Sequence, residues 1–185
     1  MKTTSRLASL WSAAKIVLPI ALSVTGPLRA ATASEAPTLS HLPGVKIAVA
    51  PIEDNIQKLG VFPDSIQAFV ELRLRQAGIR VLTYSEWLNV QGQPYLAINI
   101  NAMLPSSEAS VVYYFAVQLH QIVRLVRASD ILDDAITWSS QGRFGITPRE
   151  SLWGGTRRFL TDAMDQFNND YLVANPGGGG SSPSR

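Results

Sequence analysis

The sequence predicts an α+β protein, a two-layer sandwich in which a mixed, mostly antiparallel sheet of about five strands carries two helices on one face. Three observations lead there. A β-branched strand feeds an amphipathic helix and a second strand; the hydrophobic period changes to two after Pro94; and a long amphipathic helix follows the last strand. The predicted order is β-α-β-β-β-β-α.

The first strand is residues 45–52, alternating and β-branched, and it ends at Pro51. Pro63 opens the next helix, where Ile66, Phe69, Val70, Leu74 and Ala77 recur at helical spacing. Gly78 supplies the left-handed residue that closes it, with Ile79 placed to pack back. Residues 79–83 read as a second strand, parallel to the first through a right-handed crossover. After a loop around Trp87 to Pro94, Leu96, Ile98 and Ile100 share one face while Tyr95, Ala97, Asn99 and Asn101 share the other. A turn at 105–108 leads to a long strand from Ser110 to about Arg127, with Tyr113, Phe115, Val117, Leu119, Val123 and Leu125 on one side. Residues 130–134 read as a turn, and Ile136, Trp138 and Phe144 mark a final strand. Thr147-Pro148-Arg149-Glu150 has the pattern of a capping box for the closing helix, whose stripe is Leu152, Phe159, Ala163, Phe167 and Tyr171.

The two ends read differently. Lys2, Arg6 and Lys15 accompany a short apolar run at 16–24, Pro27 breaks it, and Ala31-Thr32-Ala33 offers a small-x-small cleavage site. This predicts a cleavable signal peptide over 1–33, cut near Ala33, and a periplasmic or secreted bacterial destination. The run is about half of the roughly twenty residues a membrane-spanning helix needs, so membrane contact is expected only through this segment. An uncleaved anchor is the competing reading. Residues 34–44 read as a spacer, 45–175 as a single α+β domain, and 176–185 as a disordered Gly/Ser tail.

The formal charge of +2 suggests a polyanion partner until the leader is set aside. Four of the 16 basic residues and none of the 14 acidic ones lie in 1–33, leaving 12 against 14, a net −2. No nucleic-acid partner is expected. The chain has no cysteine, which removes disulfides, thiolate metal sites, a cysteine nucleophile and a lipidated cysteine.

Candidate chemistry is sparse. His41 falls in the spacer, and His120 lies in the long strand without a local nucleophile or orienting carboxylate. Asp130, Asp133 and Asp134 lack calcium-loop spacing and suit a solvated turn. Gly154-Gly155 within a helix suggests close approach to the sheet, and Trp138 and Trp153 suit the core or its rim. No catalytic residue, metal or cofactor is predicted. The candidate binding surface is the sheet face opposite the helices: Tyr95, Asn99, Asn101, Tyr114, Gln118, His120, Arg124 and Arg143, with Thr137, Ser139 and Gln141 beside them. Val112, Ala116, Ile122 and Val126 share that face, so the long strand is apolar on both sides.

The strand at 45–51, the helix running into 74–81 and the later meander resemble small sheet-and-helix domains of bacterial envelope proteins, the TolB N-terminal domain and CsgG. The closing helix through Phe167 to Pro176 is similar to those of uncharacterised exported periplasmic proteins. These resemblances imply an envelope setting and transfer no functional residue. The expected function is a non-enzymatic interaction or envelope-assembly module, bound to an envelope protein or to copies of itself through the open face or an edge strand. The alternative is a small-ligand binder or hydrolase centred on His120.

Overall fold

The computed structural model describes residues 35–105 and 109–176. The expected signal peptide, residues 106–108 of the expected turn, and the tail from 177 onward lie outside them. The fold is α+β, an open mixed sheet of five strands with two helices packed against it. The strands are β1 (Lys46–Val49), β2 (Tyr95–Met103), β3 (Ser110–Leu125), β4 (Ala128–Ser139) and β5 (Arg143–Pro148). The helices are α1 (Asp54–Gln57), α2 (Pro63–Gln76), α3 (Tyr84–Leu88) and α4 (Leu152–Ala174).

β1 pairs in parallel with β2, and β2 pairs antiparallel with β3 from Tyr95↔His120 to Met103↔Val112. The other edge of β3 is shared. β4 takes its second half and β5 its first, both antiparallel. The expected final strand is thus one long edge interrupted at 140–142. Ser140 bridges the break, its backbone N–H donating to the Val117 carbonyl at 2.8 Å and its hydroxyl accepting from the Val117 N–H at 3.1 Å.

Several local expectations need correction. The strand expected at 79–83 is a single parallel bridge, Val45↔Val81, because Thr83 already begins α3. The turn expected at 130–134 sits inside β4; the reversal comes earlier, at Val126 and Arg127. The capping box expected at Thr147 does not form. Thr147 pairs with Val111 in β5, and no side chain caps α4. The same T-x-x-E pattern works instead at Thr83 and Glu86. The Glu86 N–H donates to Thr83 Oγ1 at 3.3 Å, and the Thr83 N–H donates to Glu86 Oε2 at 2.8 Å. The spacer residues 35–44 hold a 3-10 turn (Ala36–Leu39) whose Leu39 is buried with Leu42, and Asn175 of the closing segment bonds the Leu39 carbonyl.

α2 follows its sequence. It buries Ile66, Val70 and Leu74 and ends in a Schellman motif, Ile79 N–H to the Leu74 carbonyl and Gly78 N–H to that of Arg75, with Gly78 at φ +75. α4 buries Leu152, Thr156, Phe159, Leu160, Ala163, Met164 and Phe167. Both helices close over Leu96, Ile98, Phe115, Val117, Leu119 and Trp138 in one apolar core. Trp138 packs edge-on to Phe167 at 5.0 Å, and its indole N–H donates to Asp170 at 2.8 Å, so a large aromatic is buried with its polar atom satisfied. Gly154 and Gly155 do not mark a close approach: a Cβ at either position meets nothing within 4 Å.

Two outcomes follow from this packing. Gly154→Ala and Gly155→Ala should each raise stability by up to about 1 kcal/mol, read as a rise in thermal midpoint of roughly 2–4 °C; a fall would mean the bare backbone is needed. The Thr83 N–H first, then the Thr83 hydroxyl and Arg80, pull the Glu86 carboxyl down to about 2 from 4.5. A depressed acid stabilises the fold above its unfolded value and loses that contribution as pH falls towards the folded one. Trp87 emission should therefore report loosening of α3 between pH 4.5 and about 2, and Thr83→Val should move that loss to higher pH.

Candidate functional site

The face opposite α2 and α4 is uncovered, and two one-residue irregularities decide what it displays. Trp138 pairs with Leu119, but the next pair is Ile136 with His120, so Thr137 is an extra residue. Ser139 pairs with Gln118, but Arg143 pairs with Phe115, so four steps on the edge match three on β3. Side chains alternate along a strand, and each extra residue reverses the phase. Arg143 and Thr137 are therefore not on the open face. Arg143 turns to the helix side and pairs with Asp162 of α4 at 2.9 Å. The Thr137 hydroxyl accepts from Gln121 at 2.7 Å, and its carbonyl accepts from Thr38 at 2.8 Å. Ile136 and Phe144 move the other way, onto the open face.

Of the remaining candidates, Tyr95, Asn99, Asn101, Tyr114, Gln118, His120 and Arg124 do share this face. They fall into four groups. At one end Asn101, Tyr114 and Phe144 form a row beside Met103, Val112 and Ile146. Phe144 is 73% exposed, Ile146 70%, Met103 60% and Tyr114 46%. In the middle Asn99 donates to Gln118 at 3.2 Å. At the far end Arg124 holds the Ser129 carbonyl on the β3–β4 hairpin.

Between the middle and the hairpin lies a small polar cluster. Asp134 Oδ2 accepts from the Tyr95 hydroxyl at 3.0 Å and lies 2.9 Å from His120 Nδ1. A carboxylate can only accept, so Nδ1 bears the hydrogen. The Tyr95 ring stacks on His120 at 4.8 Å, Trp87 meets Tyr95 edge-on at 6.3 Å, and the Lys46 ammonium sits 4.7 Å over the Trp87 ring. Burial raises the Tyr95 phenol above its ordinary value, and the hydrogen bond to Asp134 and that residue's charge raise it further.

The carboxylate that orients His120 is fourteen residues away in sequence and lies in β4, not in the turn its local composition suggests. Among the described residues no serine, threonine or lysine side chain hydrogen-bonds to His120. Asp133 and Asp134 point to opposite sides of β4, opposite Val123 and Ile122, and cannot converge on one cation. Among the described residues no group of three His, Asp or Glu side chains could hold a metal ion. His41 is exposed, its backbone N–H donating to Asn175 at 2.8 Å.

Asp134→Asn removes a negative charge next to Tyr95, so the phenol should ionise at lower pH, yet still above 10.0 because burial is the largest cause. The folded-state value is raised, so its contribution to stability is intact below 10.0 and lost as pH climbs through the higher value. NMR titration of the Tyr95 ring checks this, and an unchanged curve would remove Asp134 from the cluster's electrostatics.

No family model matches the chain, and no curated protein matches it. Among solved structures, it is similar to a minor lipoprotein from Acinetobacter baumannii at 6% identity, with 71% of this chain and 92% of that chain covered and a TM-score of 0.25. So distant a likeness transfers neither residues nor activity, and the TolB and CsgG resemblance stays one of element order.

Proposed function

We propose that this is an exported cell-envelope protein that works by binding another protein, with the open sheet face as its contact surface. The observation that carries this reading is the exposed apolar end of that face. Phe144, Ile146, Met103 and Tyr114 stand together in solvent on a rigid strand platform, where scattered polar residues would suffice for solubility. Asn101, Asn99 and Gln118 border it as a polar rim able to hydrogen-bond a partner. Export rests on the basic, then apolar, then small-residue order of 1–33.

A second reading has one observation in its favour. His120 has an orienting carboxylate in Asp134 and a stacked tyrosine, which is half of a general-base arrangement and could also hold a small polar ligand. Among the described residues no serine, threonine or lysine side chain hydrogen-bonds to His120, so a hydrolytic step there would use water as its nucleophile.

A photo-reactive residue placed at Phe144 should cross-link in cells to a defined protein, and one at Arg157 on the exposed side of α4 should not. Equal labelling at the two positions, or none at either, overturns the interaction reading. The His120 reading predicts that His120→Ala abolishes ligand binding while leaving the Phe144 cross-link intact. The mass of the isolated protein decides the fate of the N-terminal segment, because cleavage near Ala33 removes the leader and an anchor leaves it whole.

A further inference from the structure

Resting on the reading of the open face as a protein contact, we infer that the chain assembles head to tail with copies of itself. The tip of the β3–β4 hairpin of one copy seats in the apolar cleft at the opposite end of the next copy's sheet. The structure places a protrusion and a recess of matching chemistry on one molecule. β2 pairs with β3 only as far as His120, and the Ile122 N–H is taken by the Gly92 carbonyl at 2.8 Å. Beyond that, β3 and β4 continue as a two-stranded ribbon, an arrangement that is marginal in water unless something packs on it. Its tip exposes apolar side chains beside Arg127 and Asp130: Val126 is fully exposed, and Ile131 and Leu132 are about half exposed.

The recess is a cleft of about 330 Å³ bounded by Ile52, Ile56, Met103, Val112, Tyr114 and Phe144. Glu53 is the one charged residue that lines it. On the tip, Arg127 follows Val126 directly, and neither Arg127 nor Glu53 makes an ion pair among the described residues. Tip and cleft thus both present apolar side chains, and Arg127 at the tip and Glu53 in the cleft are opposite in sign.

A molecule cannot make this contact with itself. Tyr114 and Val126 are separated by roughly 40 Å along an extended strand, so the tip points away from its own cleft. The partner is a second copy, and because two different surfaces meet, the contact repeats as an open chain or closes as a ring. A lipid surface is the other apolar environment a hydrophobic tip could enter. Asp130 and Asp133 lie near the tip on β4 and oppose an anionic headgroup layer.

The test uses the protein purified from cells. Its sedimentation coefficient should rise with concentration, and Val126→Asp and Phe144→Asp should each abolish the rise, with circular dichroism showing both variants folded. Mixed together, these two should give one-to-one dimers and nothing larger, since one keeps a working cleft and the other a working tip. Should either variant misfold, the charge pair gives an independent reading. Glu53→Arg and Arg127→Glu should each weaken assembly alone, and the mixture should restore it. A wild-type protein that stays monomeric throughout overturns the inference; a surviving Phe144 cross-link to another protein would then leave the broader interaction reading standing. Assembly lost in Phe144→Asp but kept in Val126→Asp also overturns it, in favour of face-to-face pairing. A monomer that floats with phosphatidylglycerol-containing vesicles through Val126 overturns it in favour of a lipid contact.

Discussion

A long strand that is paired on both edges through its middle and buried there on one face leaves its neighbours little freedom, and β3 is such a strand. Where it is buried, its backbone N–H and carbonyl groups must be met on each side. β2 does this on one edge from Val112 to His120, and the Gly92 carbonyl takes the Ile122 N–H beyond it. On the other, no single regular strand does, and β4 and β5 divide the work across the break that Ser140 bridges. Phe115, Val117 and Leu119 fix which side of β3 faces the helices, and the registers of β2, β4 and β5 then decide which residues the rest of the sheet buries.

How much of this could be read beforehand depends on whether the signal was local. α2 was legible, because its proline start, its apolar spacing and its glycine stop all lie within one segment. The faces of β2 and of the first part of β3 were legible from strict alternation. The choice between two T-x-x-E patterns was not. Both can cap a helix, and Thr147 loses the role because strand pairing with Val111 claims it first. Residues 35–44 looked like a linker by composition, but Leu39 and Leu42 supply enough apolar surface to dock the segment on the core.

The site was legible in part for the same reason. Seven of the eight candidate residues lie on the open face as expected, because β2 and β3 alternate cleanly. Arg143 does not, since its side follows from a count across the 140–142 break that no local pattern reveals. Exposed Phe144 and Ile146 were hidden from sequence reasoning by the same count. Asp134 illustrates the reverse case. Three aspartates within five residues suggest a turn, yet the pairing that makes one of them a partner for His120 and Tyr95 depends on a register set elsewhere.

The break at 140–142 has a consequence for how this chain can change over time. A substitution there alters one side chain, but the loss or gain of a single residue would exchange the two sides of β5 at once. Arg143 would come to the surface of the open face, Phe144 and Ile146 would turn towards α4, and an apolar patch would give way to a cationic side chain. Length in this short stretch, more than composition, governs what the molecule shows to its surroundings.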